Sequence, residues 1–397
     1  MKYDFIIIGS GIIALTLAYK LKQKLSNSKI LILEKEKNSI SHGSGRNSGV
    51  LHSGIYYEPG SLRANLCVDG AKQLKEYIKS ENLWIDECGK ILLPTSEFSN
   101  SNLDSLYERA KKNGVTISKI SKKDVEEIEP NANCQFDHAL HVPFTSVSNP
   151  KQVSESLINQ LIKMNVEIKY GEEVLNIKNN QVNSNSGPYN SDHIFNCAGL
   201  FADQIAKQSG LKFRYSFLPF KGKYWKINNN NFKLNHLVYP IPDLRYPFLG
   251  LHSSHNYKGD FYIGPSSTPV FGRDQYDGLI GNNFSEAFEL FTEFSKKIIL
   301  NQNKLRTLAF QEIGLLSKQG FYSQVKKMFK NLKANDLELS TDKVGIRSQI
   351  FDPNSKTLVN DFVIINDKNT THVLNAISPA WSASFAFADH LINEARI

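Results

Sequence analysis

The sequence predicts an α/β protein with two interlocked domains, one built on a parallel sheet and the other on antiparallel β-sheet plus helices. Residues 4–8 and 29–33 are short apolar runs typical of buried parallel strands, and a helix is expected between them over 12–25. This βαβ order predicts a parallel sheet with a right-handed crossover. Residues 84–94 and 215–265 instead alternate apolar and polar side chains between Pro and Gly, which predicts antiparallel sheet.

The remaining segments divide between the two domains. A further buried strand is expected over 193–199, and helices are expected over about 61–80, within 285–335 and over about 380–394. We predict that the parallel-sheet domain is discontinuous and interleaved with the second domain. The first comprises residues 1–83, 145–214 and 336–397, and the second comprises residues 84–144 and 215–335.

Composition excludes several classes of protein. The chain has 397 residues, 41% of them hydrophobic, which is enough for a large core. Its net charge of +8 comes from 47 Lys and Arg against 39 Asp and Glu. Because these cations form no compact block, the excess is interpreted as compositional and we predict no nucleic-acid binding. A mild basic excess is compatible with a small anionic substrate, which we expect as the partner.

The cysteines and the N-terminus indicate the compartment. The 4 cysteines include no C-x-x-C pair, which predicts no metal site and no redox dithiol and fits a reducing cytoplasm. The apolar stretch 5–17 lacks the basic start and small-residue cleavage site of a signal peptide. No stretch reaches the ~20 apolar residues of a membrane span. We therefore expect a cytoplasmic protein, peripheral to the inner membrane at most.

The turn after the first strand has a dinucleotide-binding pattern. Gly9 allows the tight turn of a G-x-G-x-x-A motif, Gly11 lets the backbone approach a pyrophosphate, and Ala14 lets the helix pack on the strand. The helix N-terminus then offers N–H groups to the phosphates. Glu34 lies where an acidic side chain binds the ribose hydroxyls. The motif predicts a Rossmann-type domain.

A second glycine-rich segment favours FAD over NAD. Residues 43–54 contain too much glycine for a helix or strand, which suggests backbone brought close to a flat ring or a phosphate. The turn at 196–199 is a second place where the backbone can approach a cofactor closely. No other G-x-G-x-x-G is present for a separate nicotinamide cofactor. We expect cofactor contacts from Arg46, Asn47, Ser48, Gly49, Ala198 and Gly199.

Several stretches carry a family resemblance. They cover residues 47–57, 59–67, 88–90, 219–222, 239–243, 247–252, 345–347, 361–363 and 375–379. Taken in order along nearly the whole chain, these stretches resemble the L-2-hydroxyglutarate dehydrogenase/oxidase family, within the D-amino-acid-oxidase-like FAD-dependent superfamily. The resemblance implies oxidation of a small 2-hydroxy acid, foremost L-2-hydroxyglutarate to 2-oxoglutarate, by hydride transfer to the flavin. Oxygen, quinone or an electron-transfer partner then takes the electrons.

The resemblance also suggests roles for individual residues. Arg347 is similar to the family's carboxylate-binding arginine. His52 and His252 are the candidates for the base that takes the hydroxyl proton, and a histidine near His52 carries covalent FAD in some members of the superfamily. Further expected contacts are Tyr57, Lys221 and Tyr239 with the substrate, and Ser378, Pro379 and Ala380 with the flavin.

Two positions depart from the family pattern. Lys221 stands where many relatives have arginine. Lysine keeps the positive charge but cannot bind a carboxylate through the two parallel hydrogen bonds that arginine makes. The run 380–385, which contains Trp381, is bulkier than the small residues expected there, so we expect an altered substrate pocket.

Alternative functions remain at this stage. One is an amine or amino-acid oxidase of the same superfamily, and another is a flavin-bearing RNA-modifying or RNA-binding protein. The stretch 310–332 mixes Phe and Leu with Lys. It predicts either an amphipathic helix on an anionic membrane or a helix that covers the second domain.

Overall fold

A computed structural model describes residues 2–243, 248–281 and 283–397. Pro247, which begins one of the stretches of resemblance, lies outside the described residues. In chain order the α-helices are α1 Ile12–Lys24, α2 Leu62–Ser80, α3 Glu97–Ser101, α4 Leu103–Lys112, α5 Lys122–Ile128, α6 Pro150–Lys163, α7 Ala202–Gln208, α8 Phe284–Ile299, α9 Leu305–Gly314, α10 Lys318–Val325 and α11 Ala380–Glu394.

The helix starts follow local capping chemistry. The Ser61 side chain accepts a hydrogen bond from the backbone N–H of Ala64 at the start of α2. Asn149 caps α6, whose first residue is Pro150. The predicted helices over 12–25, 61–80 and 380–394 are therefore present to within a residue or so at each end.

The strands include both long central ones and short edge pairs. In chain order they are β1 Lys2–Ile8, β2 Ile30–Glu34, β3 Val50–Leu51, β4 Ile85–Asp86, β5 Lys90–Leu93, β6 Ser118–Ser121, β7 His138–Val142, β8 Ser146–Ser148, β9 Glu167–Tyr170, β10 Val174–Lys178, β11 Gln181–Ser184, β12 Gly187–Asn196, β13 Ser216–Phe217, β14 Phe220–Ile227, β15 Leu237–Pro240, β16 His252–His255, β17 Phe261–Gly264, β18 Thr268–Pro269, β19 Leu337–Arg347, β20 Ile350–Asp352, β21 Thr357–Leu358, β22 Ile364–Asp367 and β23 Thr370–Val373.

The main sheet has parallel strands at its centre. Its order is β10-β11-β12-β1-β2-β9, with β23 beside β12 and β22 beside β23. The pairs β12–β1, β1–β2, β2–β9 and β12–β23 are parallel. Helices α1, α6 and α11 contribute to the apolar cluster that covers one face of this sheet. The predicted parallel βαβ unit is confirmed.

Antiparallel sheets form the other half of the molecule. Strand β14 pairs with β17, β18 and β19, and β16 pairs with β17, all antiparallel. Strand β5 pairs antiparallel with β7, as predicted, but it pairs parallel with β15. The prediction of a purely antiparallel arrangement over 84–94 and 215–265 was wrong at this pair, because alternation shows which face is buried but not the direction of the neighbour.

Strand β19 connects the two predicted domains. It lies in the segment 336–397, which we assigned to the parallel-sheet domain, yet its residues pair with β14 along nearly its whole length. The domain boundaries remain a prediction. The pairing shows that the chain from 337 to 347 belongs to the same sheet as 220–227.

The stretch 310–332 is not one continuous helix. Helix α9 ends at Gly314, and α10 begins after Ser317, whose side chain accepts a hydrogen bond from the backbone N–H of Gly320. Phe321, Val325 and Phe329 are buried in the core beneath the antiparallel sheets. The stretch therefore forms two helices rather than one, and these apolar residues cover the second domain, which was the second of the two alternatives. Among the described residues, no helix is long and apolar enough to span a membrane.

Candidate active site

A cavity of about 620 Å³ extends between the two halves of the molecule. At one end lie the β1–α1 turn and the end of β2, and at the other lie parts of β16 and β19. The predicted site residues that line it are Gly9, Gly11, Glu34, Arg46, Asn47, Ser48, His52, Tyr57, Ala198, Gly199, His252, Arg347, Ser378, Pro379 and Ala380. Residues far apart in the sequence therefore share one space.

The β1–α1 turn has the backbone shape that its glycines predict. Gly9 has φ +92°, and a Cβ on it would lie 2.8 Å from the carbonyl oxygen of Cys197. Gly11 is the N-cap of α1 and provides no side-chain cap for the helix. The Ser44 hydroxyl accepts a hydrogen bond from the Ile12 N–H at 2.9 Å. Ala14 does not line the cavity and is fully buried in α1.

Glu34 is held at the end of β2. Its Oε2 accepts hydrogen bonds from the N–H and the hydroxyl of Ser10, both at 2.7 Å, and its Oε1 accepts one from Glu36 N–H at 2.9 Å. The carboxylate therefore links the glycine turn to the strand and lines the cavity beside it.

The glycine-rich loop is braced by its own side chains. Asn47 donates to the Ser44 carbonyl at 2.7 Å and accepts from Gly49 N–H at 2.7 Å. Arg46 donates to the Ser41 carbonyl at 2.8 Å and stacks on the Tyr276 ring at 3.7 Å. Gly49 is not among the cavity-lining residues. A Cβ there would lie 2.2 Å from the Ser148 carbonyl oxygen, so this glycine serves close packing against β8.

A second helix N-terminus opens on the cavity. Pro379 is the N-cap of α11, with no side-chain cap, and both Pro379 and Ala380 line the cavity. Trp381 also lines it, and its indole N–H donates to the Ser148 hydroxyl at 3.1 Å. The next residue, Ser382, accepts a hydrogen bond from the His52 N–H at 2.8 Å. This start of α11 therefore holds the backbone of His52.

Arg347 is the cation at the other end of the cavity. Its Nη1 donates to the Ser266 carbonyl at 3.2 Å and to the Ser267 hydroxyl at 3.1 Å. Buried Glu312 accepts a hydrogen bond from Ser267 N–H at 2.7 Å. Burial lowers the pKa of Arg347, and Tyr224 and Glu312 oppose that shift. The guanidinium is therefore held in place by Ser266 and Ser267 where it lines the cavity.

His252 has a defined tautomer. Its Nδ1 lies 2.9 Å from the Gly250 carbonyl oxygen, which only accepts, so Nδ1 carries the proton. In the neutral ring Nε2 is then left with its lone pair. Its ring stacks on Tyr239 at 4.1 Å between centroids. Burial lowers its pKa to about 3, the carbonyl contact opposes this, and Arg347 and Lys90 lower it further.

His52 is a second buried imidazole at the cavity. Its pKa is lowered well below the usual value, first by burial and then by Lys90, His252 and Arg63. Its Nδ1 is buried and has no hydrogen-bond partner among the described residues. The structure thus brings both predicted histidines to the same cavity, with a fixed tautomer for His252 alone.

Lys221 and Tyr239 do not line the cavity, in contrast to their predicted contact with substrate. The ammonium group of Lys221 donates to the carbonyls of Tyr276, at 3.0 Å, and Gly278, so its donors are directed to backbone. Tyr239 lies behind His252, fully buried. The sequence identified both residues in matching stretches but could not show which way they face.

The sequence analysis missed several residues at the site. Arg63 lines the cavity, stacks on Tyr57 at 4.4 Å and donates to the carbonyls of Asn360 and Ser378. Lys90 is fully buried behind the histidines. A lysine that begins the apolar run 90–93 is an unusual charge in a buried strand, and this was the available signal.

The residues fit FAD on structural grounds. Two helix N-termini open on the cavity, as a pyrophosphate and the edge of a flavin require, and neither N-cap residue, Gly11 or Pro379, caps its helix with a side chain. Glycines keep the β1–α1 turn clear of side chains, and Glu34 stands beside it. The fold and the site together define a flavoprotein oxidoreductase.

Comparison with known proteins identifies the family. The FAD dependent oxidoreductase family matches residues 4–393, and the chain belongs to this family. L-2-hydroxyglutarate dehydrogenase from Escherichia coli is 32% identical over 398 residues, covering 99% of this chain and 93% of the relative. The enzyme of the same name from Indibacter alkaliphilus is 32% identical, covering 97% of both chains.

A solved structure gives the same fold. L-α-glycerophosphate oxidase from Mycoplasma pneumoniae, reduced with dithionite and with FAD bound, matches with a TM-score of 0.78 at 20% identity. The match covers 100% of this chain and 95% of that one. The predicted fold class and the FAD cofactor are confirmed.

Proposed function

We propose that this enzyme oxidises a small 2-hydroxy acid, L-2-hydroxyglutarate foremost, to the corresponding 2-oxo acid. The observation that carries the proposal is the placement of His252 and Arg347 on the same cavity as the glycine turn. A carboxylate needs a cation and an alcohol oxidation needs a base, and these two residues provide both. The names of the relatives support the choice of substrate.

In this proposal the two helix starts that open on the cavity, those of α1 and α11, hold the cofactor. The turn at Gly9 and Gly11 receives the pyrophosphate, and Glu34 accepts from the ribose hydroxyls. The start of α11 at Ser378, Pro379 and Ala380, together with loop residues Arg46, Asn47 and Ser48, surrounds the flavin end. When bound, FAD supplies the acceptor for the hydride that leaves C2 of the substrate.

The chain itself handles charge and the proton. Arg347 binds a substrate carboxylate, and His252 Nε2 takes the hydroxyl proton as the C2–O double bond forms and the C2–H bond breaks. An anionic substrate next to His252 raises the pKa of the ring and offsets the lowering by burial. Lys221 has no part in this scheme, because it does not line the cavity and two of its N–H groups donate to backbone carbonyls.

Anaerobic reduction of the flavin tests the substrate. Purified holoenzyme is mixed with both enantiomers of 2-hydroxyglutarate, other 2-hydroxy acids, amino acids and glycerol 3-phosphate, and loss of flavin absorbance is followed. We expect rapid bleaching by L-2-hydroxyglutarate and slow or no bleaching by the D enantiomer. Rapid bleaching by an amino acid alone would contradict the proposal and support an amine oxidase.

For the electron acceptor, the proposal is a quinone at a membrane surface, with oxygen as the alternative. Helices α8 and α9 expose large apolar side chains, including Phe284 (82% exposed), Phe288 (73%) and Phe310 (69%). Phe284 and Phe288 are one helical turn apart and share a face. Exposed Lys318 and Lys326 follow α9 in the chain. Exposed apolar side chains on one helix face, with exposed lysines later in the chain, support contact with an anionic lipid surface.

Cosedimentation with liposomes tests this contact. We expect the holoenzyme to bind anionic liposomes at physiological salt and the double variant Phe284→Ser, Phe288→Ser to bind much less. FAD content and turnover with a soluble dye show whether the variant is folded. If the unaltered enzyme stays in the supernatant, the membrane contact is excluded and oxygen becomes the favoured acceptor.

A further inference from the structure

Behind the two histidines lies a group of buried polar atoms that the proposed chemistry does not use. Lys90 Nζ, Tyr56 OH and Tyr239 OH are all buried without a hydrogen-bond partner among the described residues. The Lys90 side chain is fully shielded from solvent. An unpaired buried ammonium is costly, so a protein that keeps one has a use for its charge.

The position of Lys90 is fixed by the sheet and by two aromatic rings. It begins β5, where it pairs with Val142 of β7 and Leu237 of β15. Its Nζ lies 4.8 Å from the centroid of the Tyr56 ring and 4.9 Å from that of Tyr239. Ring faces attract a cation without neutralising it. Tyr239 connects Lys90 to the site, because its ring also stacks on the imidazole ring of His252.

The charged side chains that lower the pKa values of His52 and His252 are cations, namely Lys90, Arg63, Arg347 and Lys343. Burial lowers the pKa of Lys90 to about 7, and Cys67 opposes that shift. Its titratable neighbour on α2 is Cys67, whose pKa burial raises to about 12, so the thiol is neutral. The other groups that face the histidine pair are Tyr56 and Tyr57 before α2, Arg63 on α2, Tyr239 on β15, and Lys343 and Arg347 on β19.

We infer that Lys90 is a positioning residue, positively charged at neutral pH and below, that lies behind His52 and His252 and helps to keep both rings unprotonated and ready to accept the substrate proton. The inference rests on the proposed function, because it assumes that a histidine is the base. The positive charge of Lys90 lowers the pKa of both histidines. In surroundings shielded from water, such a charge acts more strongly than it does at a surface.

The pH dependence of flavin reduction tests this role. The rate with L-2-hydroxyglutarate is measured anaerobically from about pH 4 to about pH 9 for the unaltered enzyme, Lys90→Met and Lys90→Arg. Loss of the charge raises the pKa of the histidines. We therefore expect the acid limb of the Lys90→Met profile to move up by about 1 pH unit, with the rate at high pH retained. Lys90→Arg keeps the charge and the original limb.

Controls separate charge from packing. Lys22→Met removes another buried lysine, one whose Nζ donates to the carbonyls of Ser26 and Ser28 on the far side of α1, and it should leave the limb unchanged. If Lys90→Met does not fold, Lys90→Gln and Lys90→Leu replace it. An unshifted limb in a folded, FAD-loaded variant overturns the inference.

A second readout does not depend on turnover. Histidine side chains labelled with ¹⁵N are titrated by NMR in the holoenzyme, and His52→Gln and His252→Gln identify the two signals. We expect both signals to titrate at higher pH in Lys90→Met than in the unaltered enzyme. If no 2-hydroxy acid reduces the flavin, the proposed function fails while this titration still decides the role of Lys90. Unchanged titration of both signals overturns it.

Discussion

The hydrogen bond from His252 Nδ1–H to the Gly250 carbonyl determines, at the scale of single residues, which ring nitrogen receives a proton. His52 has no comparable bond to its Nδ1 among the described residues. This difference favours His252 as the base, a choice that the sequence left open. We therefore expect substitutions of the two histidines to have different effects on the rate.

Substitution of His252 should remove proton transfer and leave cofactor binding intact. We expect His252→Gln to lower kcat by about 10²- to 10⁴-fold, the usual contribution of a positioned base, and His52→Gln to lower it less. Steady-state kinetics with FAD content measured in parallel would show this. His138→Gln, at an exposed position of β7, is the control. An unchanged kcat in His252→Gln contradicts the assignment.

Substitution of Arg347 should weaken substrate binding. A hydrogen bond to a charged group contributes about 1.5–3 kcal/mol, so we expect Arg347→Met to lower kcat/KM by about 10- to 100-fold. The control is Arg306→Met, because Arg306 is exposed on α9. Equal kcat/KM for Arg347→Met and the unaltered enzyme would exclude Arg347 from the carboxylate site.

At the scale of elements, a buried ion network joins α7 of the parallel-sheet half to α8 of the other half. Arg273 donates to both carboxylate oxygens of Asp203, at 2.5 and 3.1 Å, and to Glu286 at 2.5 Å. Arg273 and Asp203 are 6% and 4% exposed. The pair thus resists separation of the two helices because either charge left alone would be buried.

Loss of this arginine should destabilise the protein far more than loss of a surface arginine with the same geometry. Removing one partner of a buried pair costs about 3–5 kcal/mol, so we expect a large drop in the urea midpoint of Arg273→Met. Arg214 makes an equally bidentate contact with Asp352, both bonds at 2.9 Å, but it is exposed. Its replacement by Met should cost at most about 1 kcal/mol. Equal losses would contradict this account.

At the scale of the whole molecule, buried neutral histidines make stability depend on pH. Burial lowers the pKa of His252 to about 3 and those of His193 and His372 to about 4. In the unfolded chain the pKa of a histidine is about 6.5. Between these values the unfolded chain binds more protons than the folded protein, so stability falls as the pH drops through this window.

We therefore expect the thermal unfolding midpoint to fall steadily from about pH 6.5 to about pH 4. Differential scanning fluorimetry of the flavin signal at constant ionic strength measures it. His193→Gln removes one of the titrating groups and should make the dependence shallower. A midpoint that does not change across this window would show that the histidines are not neutral in the folded protein.

Local sequence by itself determined the elements that depend on nearby residues. The apolar run, glycine turn and helix of residues 2–24 follow from short-range spacing, as does the acidic residue that ends β2. Capping at Ser61 and Asn149 likewise sets helix starts. The resemblance of dispersed stretches then indicated that the residues of the cavity belong together.

Only the tertiary structure decided the direction and surroundings of the remaining residues. It paired β5 with β15 in parallel, turned Lys221 toward backbone carbonyls, divided the stretch 310–332 into two helices and a buried turn, and placed Lys90 behind His252. The physical reason is that periodicity records which side of an element is buried. The partner that buries it comes from a distant segment of the chain, 55 residues away for Lys221 and Tyr276.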